Sequence, residues 1–308
     1  MYVSTDAARS SLRPRIDKIA GTIVNRYDPV FRMTSTPPTA SARGDLAGQE
    51  FWNSLWASKR HSRAVGAKPL NLVEQEFERF FDRAFALLGD TNGKRILEIG
   101  CGDSGWLPYF AKRWGFSVSG LDYSPVGCER AADLAKRSGV DAEITCADLF
   151  APPLALENRF DVVISMGVVE HFENTAGALK ALGRFLNDGG ILVTTIPNLA
   201  GIDGTLLKLI NRAVYDMHLP LDAPALAAAH AKAGLDLVTN EYLVGLNLGI
   251  VNAAGLDPAK LTTKLRQLLV LSFIAFSHGV GNIERALRRR LPTSRRFSAY
   301  VGAVARRV

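Results

Sequence analysis

The run Arg95-Ile96-Leu97-Glu98-Ile99-Gly100-Cys101-Gly102-Asp103-Ser104-Gly105 constrains the fold of this chain more than any other segment. A short apolar strand reaches a carboxylate, passes into a glycine turn, and leaves as a helix from about Gly105 to Trp114. Gly100, Gly102 and Gly105 let the backbone turn sharply and bring a ligand against bare main chain. The first turn of the helix points its unpaired N–H groups at whatever occupies that turn. Strand, turn and helix in this order predict a parallel α/β sheet with a nucleotide-type cofactor at the turn.

Gly100-Cys101-Gly102-Asp103-Ser104-Gly105 satisfies the dinucleotide pattern G-x-G-x-x-G. A nicotinamide-dependent oxidoreductase is therefore one reading. A dinucleotide places its pyrophosphate on the helix N-terminus, where the macrodipole favours an anion. Glu98 and Asp103 put two carboxylates there instead, which suits a ligand carrying an ammonium and a sulfonium. The segment resembles the first motif of the class I S-adenosylmethionine-dependent methyltransferases, with the last glycine displaced by one residue.

Further segments extend the resemblance in order and spacing. Phe116–Asp122 reads as a second strand ending in an acid, some twenty residues beyond the turn, where a carboxylate can accept both ribose hydroxyls. Val140–Cys146 reads as a third strand, followed by Asp148 and Leu149. Phe160–Ser165 reads as a buried fourth strand leading into Met166-Gly167-Val168-Val169-Glu170-His171, similar to the family's V-x-E-H segment. Leu186–Asn198 resembles its glycine turn and fifth strand, with Asp188 where proline is usual. The resemblance covers roughly residues 50–250 and the last ten. It implies a Rossmann-like, seven-stranded, mostly parallel sheet with helices on both faces and an antiparallel closing strand over Phe297–Ala305. It also implies S-adenosyl-L-methionine as cofactor. Glu98, Gly100, Cys101, Gly102 and Gly105 would hold its amino-acid end, Asp122 its ribose, and Asp148 with Leu149 its adenine, with Tyr123 and Met166 also binding the cofactor.

Residues 1–45 read as an extension, with a short helix over Ala7–Arg26 and a Thr/Ser/Pro linker over Thr34–Ser41. Residues 46–308 form one methyltransferase domain. Phe51, Trp52, Leu55 and Trp56 make Gln49–Arg60 an amphipathic helix, placed either over the cofactor mouth or simply on the sheet. Phe77, Phe80, Phe81, Ala84 and Leu88 give Leu70–Leu88 an apolar stripe that predicts core packing. Two insertions, near 199–220 and 256–296, depart from the common pattern and are predicted to be helical and to face the substrate.

Cys101, Cys128 and Cys146 are too few and too scattered for a disulfide framework or a zinc site, so reduced thiols and a cytoplasmic setting are expected. No apolar run flanked for secretion occupies the first thirty residues. From Leu256 onward the chain holds eleven Lys and Arg against Asp257 and Glu284, while its net charge is +7. The basic character thus belongs to the second insertion, around the apolar stretch Leu268–Phe276. That stretch is too short for a bilayer span. Three readings stay open: a helix packed on the domain or on a second copy as a homodimer, a lid over an apolar substrate, or a peripheral anchor on anionic lipid. No nucleic-acid recognition motif accompanies the arginines, and no nucleic-acid partner is expected.

Methyl transfer from a sulfonium is an in-line displacement that needs an aligned acceptor and, for a hydroxyl, a base. Residues beyond strands four and five overlook the ligand crevice, which nominates His171 beside Glu170, and His218 in the first insertion, as catalytic candidates. The Asp, Glu and His spacings predict no metal site. The Glu170-His171 segment resembles the quinone-biosynthesis O-methyltransferases, except that Gly167 replaces an acid usual there. The expected reaction is methylation of a small or medium-sized metabolite, first on oxygen, then nitrogen or carbon. Apolar insertions favour a lipophilic acceptor. A non-catalytic methyltransferase-like module that regulates a partner is the remaining alternative.

Overall fold

The computed structural model describes residues 44–58, 61–257 and 259–307. The helix expected over 7–26, the linker over 34–41 and the end of the helix expected over 49–60 lie outside the described residues.

The strands are β1 (Arg95–Ile99), β2 (Ser117–Asp122), β3 (Ala142–Cys146), β4 (Phe160–Met166), β5 (Leu186–Pro197), β6 (Leu235–Leu246) and β7 (Ser298–Arg307). They form one seven-stranded sheet in the order β3-β2-β1-β4-β5-β7-β6. β1 pairs in parallel with β2 and β4, and β4 with β5. β7 runs antiparallel to both β5 and β6, as the resemblance implies for the closing strand.

Successive residues of a strand face opposite sides of a sheet. Ile96, Val162, Ile164 and Val193 therefore meet one helical layer, and Leu97, Ile99, Val163 and Leu192 the other. The first layer is built on α2 (Leu72–Phe85) and α3 (Trp106–Trp114), which bury Phe77, Phe80, Phe81, Phe85, Leu107 and Phe110. The second includes α5 (Thr175–Gly183) and α8 (Ala223–Lys232), which bury Leu179, Leu182 and Leu226. Burial on both faces explains why β4 is an unbroken apolar run rather than an alternating one. Each fully buried phenylalanine contributes roughly 1.5–3 kcal/mol relative to exposure.

The helix starts are locally encoded. Asn71 accepts from the Glu74 N–H at 3.0 Å while the Glu74 carboxylate accepts from the Asn71 N–H at 2.8 Å, a reciprocal cap for α2. Ser124 caps α4 (Pro125–Arg137) by accepting from the Gly127 N–H at 3.0 Å, with Pro125 in the first turn.

Two segments differ from the sequence pattern, which predicts one helix over Gly201–Pro220 and a sixth strand over Leu235–Leu243. The first forms two helices, α6 (Ile202–Ile210) and α7 (Arg212–Tyr215). Asn211 breaks them at φ −147° because its side chain caps α7 and donates to the Ala254 carbonyl at 2.7 Å. β6 continues past Leu243 to Leu246 through an irregularity in register, with Val244 at φ 57°. The second insertion forms a single long helix, α9 (Leu261–Leu287). No helix among the described residues is long and apolar enough to cross a membrane.

Candidate active site

A cavity of about 460 Å³ opens at the carboxyl ends of β1, β2 and β4 and beside the loop after β3. The strand order reverses there, between β1 and β4, which is where open α/β sheets bind ligands. Its wall includes Gly100, Asp122, Tyr123, Asp148, Leu149, Met166 and His171. Glu98, Cys101, Gly102, Gly105 and His218 do not reach its surface. The reasons differ for each.

Gly100 sits at φ +70°, and a Cβ there would stand 2.5 Å from Val168 Cγ2. The turn thus needs glycine both for its dihedral and for the close approach of the post-β4 loop. Gly102 faces the aromatic helix α1 (Gln49–Ser58): a Cβ would lie 2.6 Å from the Trp56 ring. Gly105 lies against the Arg63 carbonyl, 2.5 Å from where its Cβ would be. These two glycines give room to the N-terminal segment that crosses the turn. Cys101 is a core residue of the same turn. Its N–H, like that of Gly100, bonds the Leu121 carbonyl, and its side chain fills the space left by Gly120, 2.7 Å from that residue's Cβ position. Burial pushes its thiol pKa up, so it is a neutral core group.

The carboxylates separate into three environments. Asp103, expected to face a cationic ligand, is instead paired with buried Arg130 at 2.7 Å and accepts from the Ser62 N–H at 2.9 Å. Asp122 accepts from the Gly102 N–H and the Ser124 N–H, each at 2.8 Å, and lines the cavity. Burial raises its pKa, and the backbone bonds pull the other way. Glu98 lies buried beneath the turn with Oε2 lacking a hydrogen-bond partner among the described residues. Desolvation pushes its pKa up to about 8 against the lowering effect of Ser104. A carboxylate left this way gains strongly from an incoming cation.

The aromatic helix covers the cavity. Trp52 and Trp56 both line it and stack at 5.9 Å. The helix is tied to the loop after β2: Gln49 donates to the Tyr123 carbonyl, and Ser124 donates to Asn53 Oδ1 at 2.6 Å. Tyr123 donates to Asp45 Oδ2 at 2.8 Å, and Asp45 pairs in a β-bridge with Phe172. Asp45, Gln49, Phe150 and Phe172 line the cavity but were not singled out from the sequence. Asp45 carried no signal there, since its partners lie far along the chain. Phe150 follows Asp148 by two residues and could have been found from that spacing.

Behind Met166 the chain forms a short 3-10 turn over Val169–His171. His171 is buried on the cavity wall, edge-on to Trp52 at 5.2 Å. Its Nδ1 lies 2.7 Å from the Met217 carbonyl, and Nδ1 of His218 lies 2.7 Å from the Val214 carbonyl. A carbonyl only accepts, so each Nδ1 carries the proton and each Nε2 keeps its lone pair. The rings lie 4.3 Å apart, with His218 behind His171. Burial, reinforced by His218, lowers the His171 pKa to about 3. Glu170 is buried beside them, both carboxylate oxygens lack a partner among the described residues, and desolvation raises its pKa to about 8. Donor atoms of Glu170, His171 and His218 lie within 4.8 Å of one another. The sequence predicted no such cluster, because His218 joins it only through the fold of the first insertion. His230, fully buried, bonds the Leu226 carbonyl at 2.8 Å within α8 and lies outside the cavity.

Comparison with known proteins places the chain in a family. The family model described as a methyltransferase domain matches residues 72–240, more than half of the chain. A ubiquinone biosynthesis O-methyltransferase of Cereibacter sphaeroides is 28% identical over 218 residues, covering 67% of this chain and 86% of the relative. One from Azorhizobium caulinodans is 30% identical over 172 residues, covering 54% and 66%. Among solved structures, a putative sarcosine dimethylglycine methyltransferase from Galdieria sulphuraria superimposes with a TM-score of 0.54 at 12% identity, covering 84% of this chain and 97% of that one. The [4+2]-cyclase SpnF superimposes with a TM-score of 0.53 at 18% identity, covering 89% and 98%. These structural likenesses concern the fold. The family match sets aside both the oxidoreductase suggested by the glycine spacing and the non-catalytic module. Sheet order, cavity position and family match together place the chain in the methyltransferase-domain family, as a class I S-adenosylmethionine-dependent methyltransferase.

Proposed function

We propose that this enzyme methylates a hydroxyl oxygen on a lipophilic, aromatic-type metabolite. The observation that carries the reading is the placing of His171, with a free Nε2, against an otherwise largely apolar cavity wall of Trp52, Leu149, Phe150, Val168 and Phe172. In this reading Asp122 takes the ribose, Asp148 and Leu149 the adenine side, and Glu98 the ammonium of the cofactor. Trp52 and Trp56 exclude water from the methyl group. His171 accepts the acceptor's proton at Nε2, held in place by the bond from its Nδ1 to the Met217 carbonyl. The naming of the Cereibacter and Azorhizobium relatives as O-methyltransferases supports oxygen as the methylated atom. Supplied with methyl-labelled cofactor, the enzyme is expected to label phenols and catechols bearing an alkyl or prenyl chain. Labelling confined to polar amines or carboxylates would overturn the assignment.

A second reading is favoured by the cluster itself. Glu170, His171 and His218 offer one carboxylate and two imidazole Nε2 atoms, a donor set that suits a divalent transition metal. A cation there would orient and acidify the acceptor hydroxyl. Activity that survives exhaustive chelation selects the base, and activity that is lost and then restored by a divalent ion selects the metal.

Glu98 gives a separate test of cofactor placement. Its pKa is raised from 4.5 to about 8, so the folded protein holds a proton between these values that the unfolded chain releases. This group's contribution therefore destabilises the free protein as pH rises through that window. An ammonium seated beside it favours the ionised form. Cofactor binding at about pH 6.5, where an α-amino group is still protonated, is expected to release close to one proton. Calorimetry in buffers of different ionisation enthalpy reads this directly. The release should vanish in Glu98→Gln, and equal heats in all buffers for the native enzyme would place the ammonium elsewhere.

A further inference from the structure

The helix α9 is held to the domain by one side only. Thr263, Ile274, Ser277 and Gly281 are its buried positions. Ser277 Oγ accepts from the Leu248 N–H at 2.9 Å, and Gly281 lies so close to Leu72 that a Cβ would stand 2.2 Å from its Cδ1. The opposite side is also apolar. Leu261, Leu265, Leu268, Phe276, Ile283 and Leu287 follow one another at steps of three, four, seven or eight residues, the helical repeat. They are 73%, 54%, 60%, 49%, 59% and 70% exposed. A 27-residue helix extends about 40 Å, so the stripe is long and straight, and it has no cover among the described residues.

Cations border the stripe. Lys260 and Lys264 stand at its N-terminal end and Arg285, Arg288 and Arg289 at the other, all exposed and without an ion pair among the described residues. The two acids of the region are Asp257 and Glu284, and Glu284 is already paired with Arg290 at 3.4 Å. Charge decides between occupants. A second copy docked on this face, parallel or antiparallel, would bring cations against cations. An anionic bilayer neutralises both ends while the leucines enter the headgroup boundary.

We infer that α9 lies flat on an anionic lipid surface, its outward leucine and phenylalanine stripe embedded and its terminal lysines and arginines against the headgroups. The inference does not depend on which acceptor the enzyme methylates. The 308-residue chain is to be sedimented with vesicles of phosphatidylcholine alone, or of phosphatidylcholine containing phosphatidylglycerol, at low and raised salt. Binding to the anionic vesicles at low salt, weakened by salt, is expected. Leu268→Glu with Phe276→Glu should lower partitioning at least tenfold. Arg288→Glu with Arg289→Glu should lower it by about fivefold or more per cation. Both pairs should bind cofactor as the native chain does, which excludes misfolding as the cause. No association with anionic vesicles overturns the inference. So does a stable dimer in sedimentation equilibrium that the Leu268/Phe276 variant dissolves while vesicles are ignored, because the stripe is then a subunit interface.

Discussion

Asp122→Ala is expected to weaken binding of S-adenosylmethionine and its demethylated product by at least about a hundredfold, from loss of two charge-assisted hydrogen bonds at about 1.5–3 kcal/mol each. The carboxylate stands at the end of β2 on the cavity wall, already oriented by the N–H groups of Gly102 and Ser124. Those bonds keep it from turning away, so little ordering remains to be done when a ribose arrives. They also mean that alanine frees two backbone donors and can loosen the glycine turn. The specificity readout separates the two effects. The native enzyme should prefer the demethylated product to its 2′-deoxy analogue, and Asp122→Ala should bind both alike. A variant that loses affinity yet keeps the preference would remove Asp122 from the ribose and leave it a turn-holding role.

His171→Ala should lower kcat by about 10²–10⁴-fold, the range for a positioned general base, while calorimetric affinity for the cofactor changes little. The sense of this effect follows from the tautomer. The Met217 carbonyl fixes the proton on Nδ1, so Nε2 is the accepting atom. With its pKa lowered to about 3 the ring stays neutral at working pH, so its lone pair is always available, although burial disfavours the imidazolium. Glu170, its pKa raised to about 8 by desolvation, holds its own proton at neutral pH and offers that ion a counter-charge only above this value. His218→Ala should cost less, because His218 stands behind His171 and does not reach the cavity. A His171→Ala enzyme with more than a tenth of native kcat would end the base assignment.

Much of the scaffold is legible in the sequence. Apolar periodicity placed all seven strands, since residues covered on both faces read as the continuous runs seen in β1 and β4. The phenylalanine stripe of α2 was read as core and is buried as such. The breaks that were missed come from side chains acting on distant backbone, as Asn211 does on Ala254. Local pattern carries no trace of that bond. The site was legible in part for the same reason. Residues at strand ends, such as Asp122, Asp148 and Met166, do line the cavity, because a strand end in a parallel sheet has a definite place.

Sequence by itself determined the order of strands and helices, the position of the ligand crevice and the family, because these depend on periodicity and on backbone preferences within a few residues. Tertiary structure alone decided how charge and space are shared in the site. It paired Asp103 with Arg130 and left Glu98 buried without a cation beside it among the described residues. It gave Gly102 to Trp56 and Gly105 to the Arg63 carbonyl. It also set His218, forty-seven residues along the chain from His171, behind that ring. Each of these is a contact between segments far apart in the chain, created when the crossovers pack against the sheet, and a side chain's chemistry follows from the neighbours that packing supplies.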